Sequence, residues 1–410
     1  MPIDRVLIVG GGLAGPALAL ALARQNIRSS VFEIRPQRTI ADGSIALAPN
    51  ALRALDHVIG VYDRLKSAGF SYRRLAMHAE DGQLFGNVSQ SDSEYDALRI
   101  LRSTLHNTML DACEEQPNFV EVRFGVTITQ IEDGEDGVTL RFEDGSSARG
   151  DILIGADGIH SKIREHVLGA SAPKPTFLGS CMVSGTLPLS SIKAPSDWEF
   201  PAVLITSVGM VAVWLHNVQG TEAAWYVSED LPDKDRAAWR EYGASGEAAR
   251  AAKRNYAMVQ QETIRSLMDN VQDDAVTLWT PHSMPDIPTW HRGRVCLIGD
   301  AAHALPPNGQ GSAMAFEDAA YLSRLLTSEE AVKHGFERVF TKFEKNRRTR
   351  IDRVRVLGHG AGAAKGGTPA AWKYMLKKWA MSAYFAWNGY ELKDERISSY
   401  DVTQQDIGVE

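Results

Sequence analysis

The opening strand and the glycines that break it constrain this chain most. Arg5 to Val9 is apolar and β-branched, the pattern of a buried strand. Gly10-Gly11-Gly12 ends it, and Leu13 to Arg24, rich in Ala and Leu, reads as a helix. Ser30 to Glu33 reads as a second strand. The first 33 residues are therefore a β-α-β unit, with the right-handed crossover such units require. Gly10-x-Gly12-x-x-Gly15 occupies the bend between strand and helix, where a dinucleotide-binding unit needs it. Gly10 permits the tight turn, Gly12 lets the backbone approach a diphosphate, and Gly15 lets the helix pack on the strand. Leu13 and Ala14 begin the helix, whose free N–H groups and partial positive charge suit phosphates. Glu33 ends the second strand, where a carboxylate reaches ribose hydroxyls. These residues fit either NAD or FAD.

The rest of the chain reads as mixed α/β. Ala46 to Leu55 and Val58 to Ser67 have helical patterns, and Ser71 to Gln90 a strand pattern turning at Glu80-Asp81-Gly82. Thr104 to Glu115 reads as a helix capped by Ser103 or Thr104. Val120 to Asp151 reads as a strand meander with Asp-Gly turns at 133–134, 136–137 and 144–145. Strand patterns fill Phe177 to Ser228, helices return from Lys234 to Leu267, and Val295 to Ile298 is another buried strand. Gly311 to Leu326 is helical, and so is the tail from Phe336, interrupted at Gly358 to Pro369.

With 410 residues, 44% of them hydrophobic, the chain has material for two to three domains. A net charge of −7 without a basic block argues against nucleic acid as a partner. No stretch reaches the length of a membrane span, and the start carries no charged-then-apolar leader. Cys113, Cys181 and Cys296 show no CxxC spacing, so a zinc site is not expected and a reducing, cytoplasmic setting is. Neither GxSxG nor HExxH occurs, which leaves no sequence case for a serine hydrolase or a zinc protease.

Two later segments choose between the cofactors. Asp151 to Arg164, DILIGADGIHSKIR, is an apolar strand breaking into a glycine turn. Gly293 to Gly311, GRVCLIGDAAHALPPNGQG, is a strand, an acidic turn and a rigid loop before a helix. With the opening motif, these segments resemble the group A flavoprotein monooxygenases, the para-hydroxybenzoate hydroxylase family. The resemblance runs from residue 3 to about residue 345, with weaker traces to Tyr400-Asp401. It implies a Rossmann-like FAD-binding domain interleaved with a β-sheet substrate domain and followed by C-terminal helices. In that arrangement residues 1–70, 98–175 and 276–350 form the FAD-binding domain. Residues 71–97 and 176–275 form the substrate domain, and 351–410 the C-terminal helical segment.

The resemblance also implies roles. Asp300 hydrogen-bonds the ribityl chain, and Arg102 contacts the cofactor near its phosphates or ribityl chain. Arg35 serves the adenosine end, or is a solvated arginine. Asp157 contacts the cofactor or only shapes its Asp-Gly turn, and His303 is a structural donor. The loop from Pro306 through Gly309 to Gly311 runs beside the isoalloxazine ring. The helix that begins there, with Ser312 and Ala313 in its first turn, points its positive end at the flavin. Two features depart from the family pattern. Ser184, in Val183-Ser184-Gly185, stands where many relatives carry an arginine near the flavin, and Ser312-Ala313 stands where relatives often carry Asn.

The implied reaction uses NADPH or NADH as a transient electron donor and dioxygen as oxidant. It hydroxylates or epoxidises a small molecule through a flavin C4a-hydroperoxide. Pro306, Ser184 and His216 are the candidate catalytic residues. Met182, Leu204, Trp214, Trp225 and Tyr226, with Ser184 and His216, are the candidate pocket. Along Val211 to His216, alternation puts Ala212, Trp214 and His216 on one strand face. Trp and His with few charges suit a neutral aromatic or polycyclic ligand, of polyketide or alkaloid kind. A reductase on the same fold and a non-catalytic flavin-binding partner protein are the alternatives. A monomer or homodimer is expected.

Overall fold

The computed structural model describes residues 3–38, 43–328, 335–361, 371–392 and 395–408. Its first layer is a six-stranded sheet. In spatial order the strands are His291–Arg292, Val295–Leu297, Ile152–Gly155, Arg5–Val9, Arg28–Glu33 and Val120–Phe124. Neighbours run parallel except for the first pair. Arg5–Val9 lies inside this sheet, with Val6, Leu7 and Ile8 fully buried. The helix Ala14–Ala23 is buried at every residue. An apolar surface on all sides must be covered on all sides. The sheet and the helices Arg102–Glu114 and Gly311–Leu326 cover it.

The second layer is an eight-stranded sheet. Its order is Thr277–Trp279, Ser180–Pro188, Glu222–Asp230, Met210–Leu215, Ala202–Ile205, Arg74–Ala79, Leu84–Ser89 and Glu391–Leu392. Strands of the two layers alternate along the chain, so the interleaving implied by the resemblance is the observed architecture. One face of this sheet, with Cys181, Val183, Leu204, Val213, Trp225 and Val227, packs on the helices Arg236–Ala244, Glu247–Tyr256 and Glu262–Asn270. The other face, with Val203, Ile205, Ala212, Trp214 and Tyr226, meets Phe385 and Met381 of the helix Ala371–Trp387. A small sheet, Ser44–Leu47, Ala97–Leu101 and Phe70–Tyr72, joins the layers. Its Leu47, Leu98 and Ile100 enter the first core.

Several local expectations change. Val120–Phe124 leaves the meander and pairs in parallel with Arg28–Glu33, because its apolar residues complete the edge of the buried sheet. Residues 46–47 extend as part of the strand Ser44–Leu47, and the helix starts at Pro49. The helix expected from Thr104 begins at Arg102, and neither Ser103 nor Thr104 caps it. The meander's strands are Ile128–Gly134, Gly137–Phe142 and Ser147–Gly150; Asp144-Gly145 lies between strands as expected, whereas Asp133-Gly134 ends a strand and the turn falls at residues 135–136. The interruption read at Gly358 to Pro369 falls largely outside the described residues.

Candidate active site

The three opening glycines do different work. Gly10 has φ +114°, and a Cβ there would lie 2.2 Å from the Ala156 carbonyl oxygen. A Cβ at Gly15 would lie 2.0 Å from the Gly10 carbonyl oxygen. Packing within the protein therefore demands glycine at both positions. A Cβ at Gly12 would meet nothing within 4 Å. Open space beside a bare backbone, at the start of a helix that no side chain caps, is what a diphosphate requires.

Glu33 lies at this cradle. Its carboxylate accepts hydrogen bonds from the N–H groups of Gly11 (2.7 Å) and Arg35 (2.9 Å). The Arg35 guanidinium is 56% exposed and 3.9 Å from Glu33, at the rim of the site. His106 was not foreseen. Its Nε2 donates to the Gly11 carbonyl oxygen at 2.6 Å, pinning the glycine loop from the helix Arg102–Glu114. Burial pushes the His106 pKa down, against the Gly11 hydrogen bond, and that bond fixes the proton of the neutral ring on Nε2. No local pattern marks such a residue 95 positions away from its partner. His106→Leu is expected to weaken FAD binding about tenfold, the effect of one lost hydrogen bond, measured by titrating apoprotein with FAD.

Gly299, at φ +58°, turns the chain so that Asp300 begins the short helix Asp300–His303. Asp300 is itself exposed, yet the protein packed around it pushes its pKa up, and the His303 and Arg102 charges oppose that shift. Asp300 and Arg102 thus face one region although 198 positions separate them in sequence. Asp318 fixes the turn from behind. It accepts the Gly299 N–H at 2.8 Å and lies 2.6 Å from His303 Nε2, so His303 is a structural partner. Arg347 Nε donates to the other Asp318 oxygen at 2.7 Å, and Arg347 Nη1 to Glu317 at 2.8 Å. Asn50 ties Glu317 (2.7 Å) to Gln310 (3.0 Å), the residue before the helix Gly311–Leu326. The loop after Pro306 turns at Gly309, φ +76°. No side chain caps the helix that follows, where Ser312 and Ala313 form the first turn.

Asp157 is committed to its own turn. Its carboxylate accepts from the Ser161 hydroxyl and from the N–H groups of Lys162 and Ile163, capping the helix Lys162–Leu168. Burial raises its pKa against those bonds. Arg164, from this helix, donates to the Ala301 carbonyl at 3.0 Å and so links the Asp-Gly and Gly-Asp segments.

The pocket residues separate by strand face. Pairing sets Ser184 opposite Tyr226 and Tyr226 opposite Ala212, on the face that also carries Met182 and Trp214. Leu204 and Trp225 do not join them. They pair with Val211 and Val213 on the opposite face, buried against helices, so the pocket reading fails for these two. Ser184 donates to the Thr277 carbonyl at 3.3 Å. The Tyr226 hydroxyl meets Ser44, within 2.9 Å of both its hydroxyl and its backbone, and so ties the substrate sheet to the small connecting sheet. Beside that contact the Arg99 guanidinium lies 4.5 Å from the Trp214 ring centre and 5.1 Å from that of Tyr226. His216 is buried just past the end of Met210–Leu215, and burial lowers its pKa.

The site thus has a nucleotide cradle, an acid at a glycine turn, and an aromatic sheet face tied to the small connecting sheet. The FAD binding domain family matches residues 4–355. The chain is 31% identical over 374 residues to a 6-hydroxynicotinate 3-monooxygenase of Pseudomonas fluorescens, covering 87% of this chain and 90% of that one. It is 30% identical over 386 residues to a salicylate hydroxylase of Pseudomonas putida, covering 85% and 83%. Klebsiella pneumoniae HpxO, solved with FAD and uric acid, shares the fold with a TM-score of 0.78 at 24% identity, covering 99% and 98%. The open Gly12 cradle, Glu33 and the Asp300 turn fit FAD, and the chain belongs to the FAD-dependent group A monooxygenases.

Proposed function

We propose that this enzyme uses NAD(P)H and dioxygen to hydroxylate or epoxidise an aromatic or polycyclic small molecule. FAD, when bound, supplies the electron transfer and oxygen activation. The chain's own residues bind, orient and exclude water. Gly12 and the first turn of Ala14–Ala23 hold the diphosphate, Glu33 the ribose, and Asp300 with Arg102 the ribityl region. The Pro306–Gly311 loop and the uncapped helix after it border the ring system. The observation that carries this reading is the Tyr226–Ser44 contact, which seats the aromatic face of the substrate sheet against the small sheet that joins it to the cofactor layer. Trp214 and Tyr226 stack a planar ring there. Ser184 and His216 are the groups placed to hold or move its proton, since burial keeps His216 neutral. Three buried, unpaired thiols support a reducing compartment.

The test is purification, a visible spectrum, and NAD(P)H oxidation measured with an oxygen electrode across a panel of hydroxylated aromatic compounds. The expected result is a yellow protein whose NAD(P)H oxidation rises with ligand, with matching oxygen uptake and an oxygenated product. Turnover without oxygen uptake would identify a reductase and overturn the proposal.

A further inference from the structure

We propose that Arg99 is the specificity-determining residue of the pocket and that it selects a substrate bearing a carboxylate. This rests on the monooxygenase reading above.

Arg99 lies on the central strand of the small sheet, Ala97–Leu101, and is only 7% exposed. A guanidinium so deeply placed normally has an acid beside it. Among the described residues Arg99 forms no salt bridge. Its Nε donates to the Ser44 hydroxyl (2.6 Å) and its Nη2 to the Ser44 carbonyl (3.0 Å), both neutral acceptors. Nη1 makes no hydrogen bond to a described residue. The charge is held in place by the faces of Trp214 and Tyr226, which orient a guanidinium without consuming its donor edge.

Two neighbouring polar atoms are also unpaired. The Tyr72 hydroxyl is buried, with the side chain 5% exposed, and has no hydrogen-bond partner among the described residues. Its ring meets Trp214 edge to face at 5.8 Å. His216, 3% exposed, has an Nε2 without a hydrogen bond, 3.7 Å from the nearest Glu222 oxygen. Both groups lie within electrostatic reach of Arg99. Buried polar atoms without partners are costly, and two beside one cation that has no acid mark a place built to be completed by a ligand. A carboxylate completes it. One oxygen accepts from Arg99, the Tyr72 hydroxyl donates to the other, and the attached ring stacks along Trp214 and Tyr226. The expectation of a neutral ligand rests on a pocket of Trp and His with few charges, and Ser184 standing where relatives carry arginine leaves the substrate's charge open. Arg99 supplies the missing charge from another strand.

The test uses the FAD-loaded enzyme and three matched pairs: benzoate, salicylate and 6-hydroxynicotinate, each against its amide. Binding is read by calorimetry and by perturbation of the flavin spectrum. For at least one pair the parent enzyme is expected to bind the acid about thirtyfold more tightly than the amide. Arg99→Gln is expected to erase that preference by weakening the acid about thirtyfold while changing the amide less than about threefold. Tyr72→Phe removes only an unpaired hydroxyl, so its melting temperature should not fall, while its acid binding weakens about tenfold. The assignment is overturned if the parent binds none of the acids or prefers none of them. It is also overturned if Arg99→Gln keeps the preference or weakens acid and amide alike, or if Tyr72→Phe leaves acid binding unchanged. A protein that holds no FAD fails earlier, at the visible spectrum, and that failure counts against the monooxygenase reading.

Discussion

Gly12→Ala is expected to fold as the parent does and to purify without its yellow colour. A methyl group at this position touches no protein atom within 4 Å, so nothing in the fold opposes it. It projects instead into the open space proposed above for the diphosphate. We expect FAD affinity to fall about a hundredfold, or about 2.8 kcal/mol, with an unchanged melting temperature for the apoprotein. Gly10→Ala is the contrasting control. Its Cβ would meet the Ala156 carbonyl oxygen at 2.2 Å in a left-handed backbone, so it should impair folding itself. Titration of both apoproteins with FAD, alongside thermal melts, separates the two outcomes. Equal FAD affinity for Gly12→Ala and the parent would remove the diphosphate from this cradle.

That contrast shows what the amino-acid sequence carries and what it does not. The roles of Gly10, Gly12 and Gly15 are legible because a strand, a bend and a helix follow one another within a few residues. Asp300 is legible for the same reason, as the acid of a turn between a buried strand and a helix. The two strand faces are only half legible. Alternation sorts residues within Met210–Leu215, but it cannot say which face of the neighbouring strand matches. Leu204 and Trp225 therefore read as pocket residues until pairing with Val211 and Val213 places them on the helix-covered face. His106, Arg99 and Asp318 are further from reach. Each acts through a partner brought close only by the fold: Gly11, the rings of Trp214 and Tyr226, and the Gly299 N–H. A lone histidine or arginine in a strand or helix carries no local mark of such a partner.

The buried ion cluster behind the Gly299-Asp300 turn gives the largest expected effect on stability. Arg347 is fully buried and is the shared cation of Glu317 and Asp318, which are fully buried too. Burial acts to raise the Asp318 pKa, yet the His303 and Arg347 charges hold the carboxyl below its usual value. Arg347→Met removes a cation and leaves the acids in place. Among the described residues Asp318 would then keep only His303 and the Gly299 N–H, and Glu317 only Arg350 and Asn50. Breaking a buried pair from one side costs about 3–5 kcal/mol, because a charge is left without compensation. Chemical denaturation at neutral pH should show a loss of that size. Its pH dependence follows from the direction of the Asp318 shift. A carboxyl depressed in the folded state stabilises it above its unfolded pKa, and that contribution is lost as pH falls through the folded value. The gap between parent and variant should therefore be full at pH 7 and narrow below about pH 4. Adding Asp318→Asn to Arg347→Met should recover part of the loss, since it removes the uncompensated charge and keeps an acceptor for the Gly299 N–H. A double variant no more stable than Arg347→Met would mean that packing around Arg347, and not its charge, supports the turn that carries Asp300.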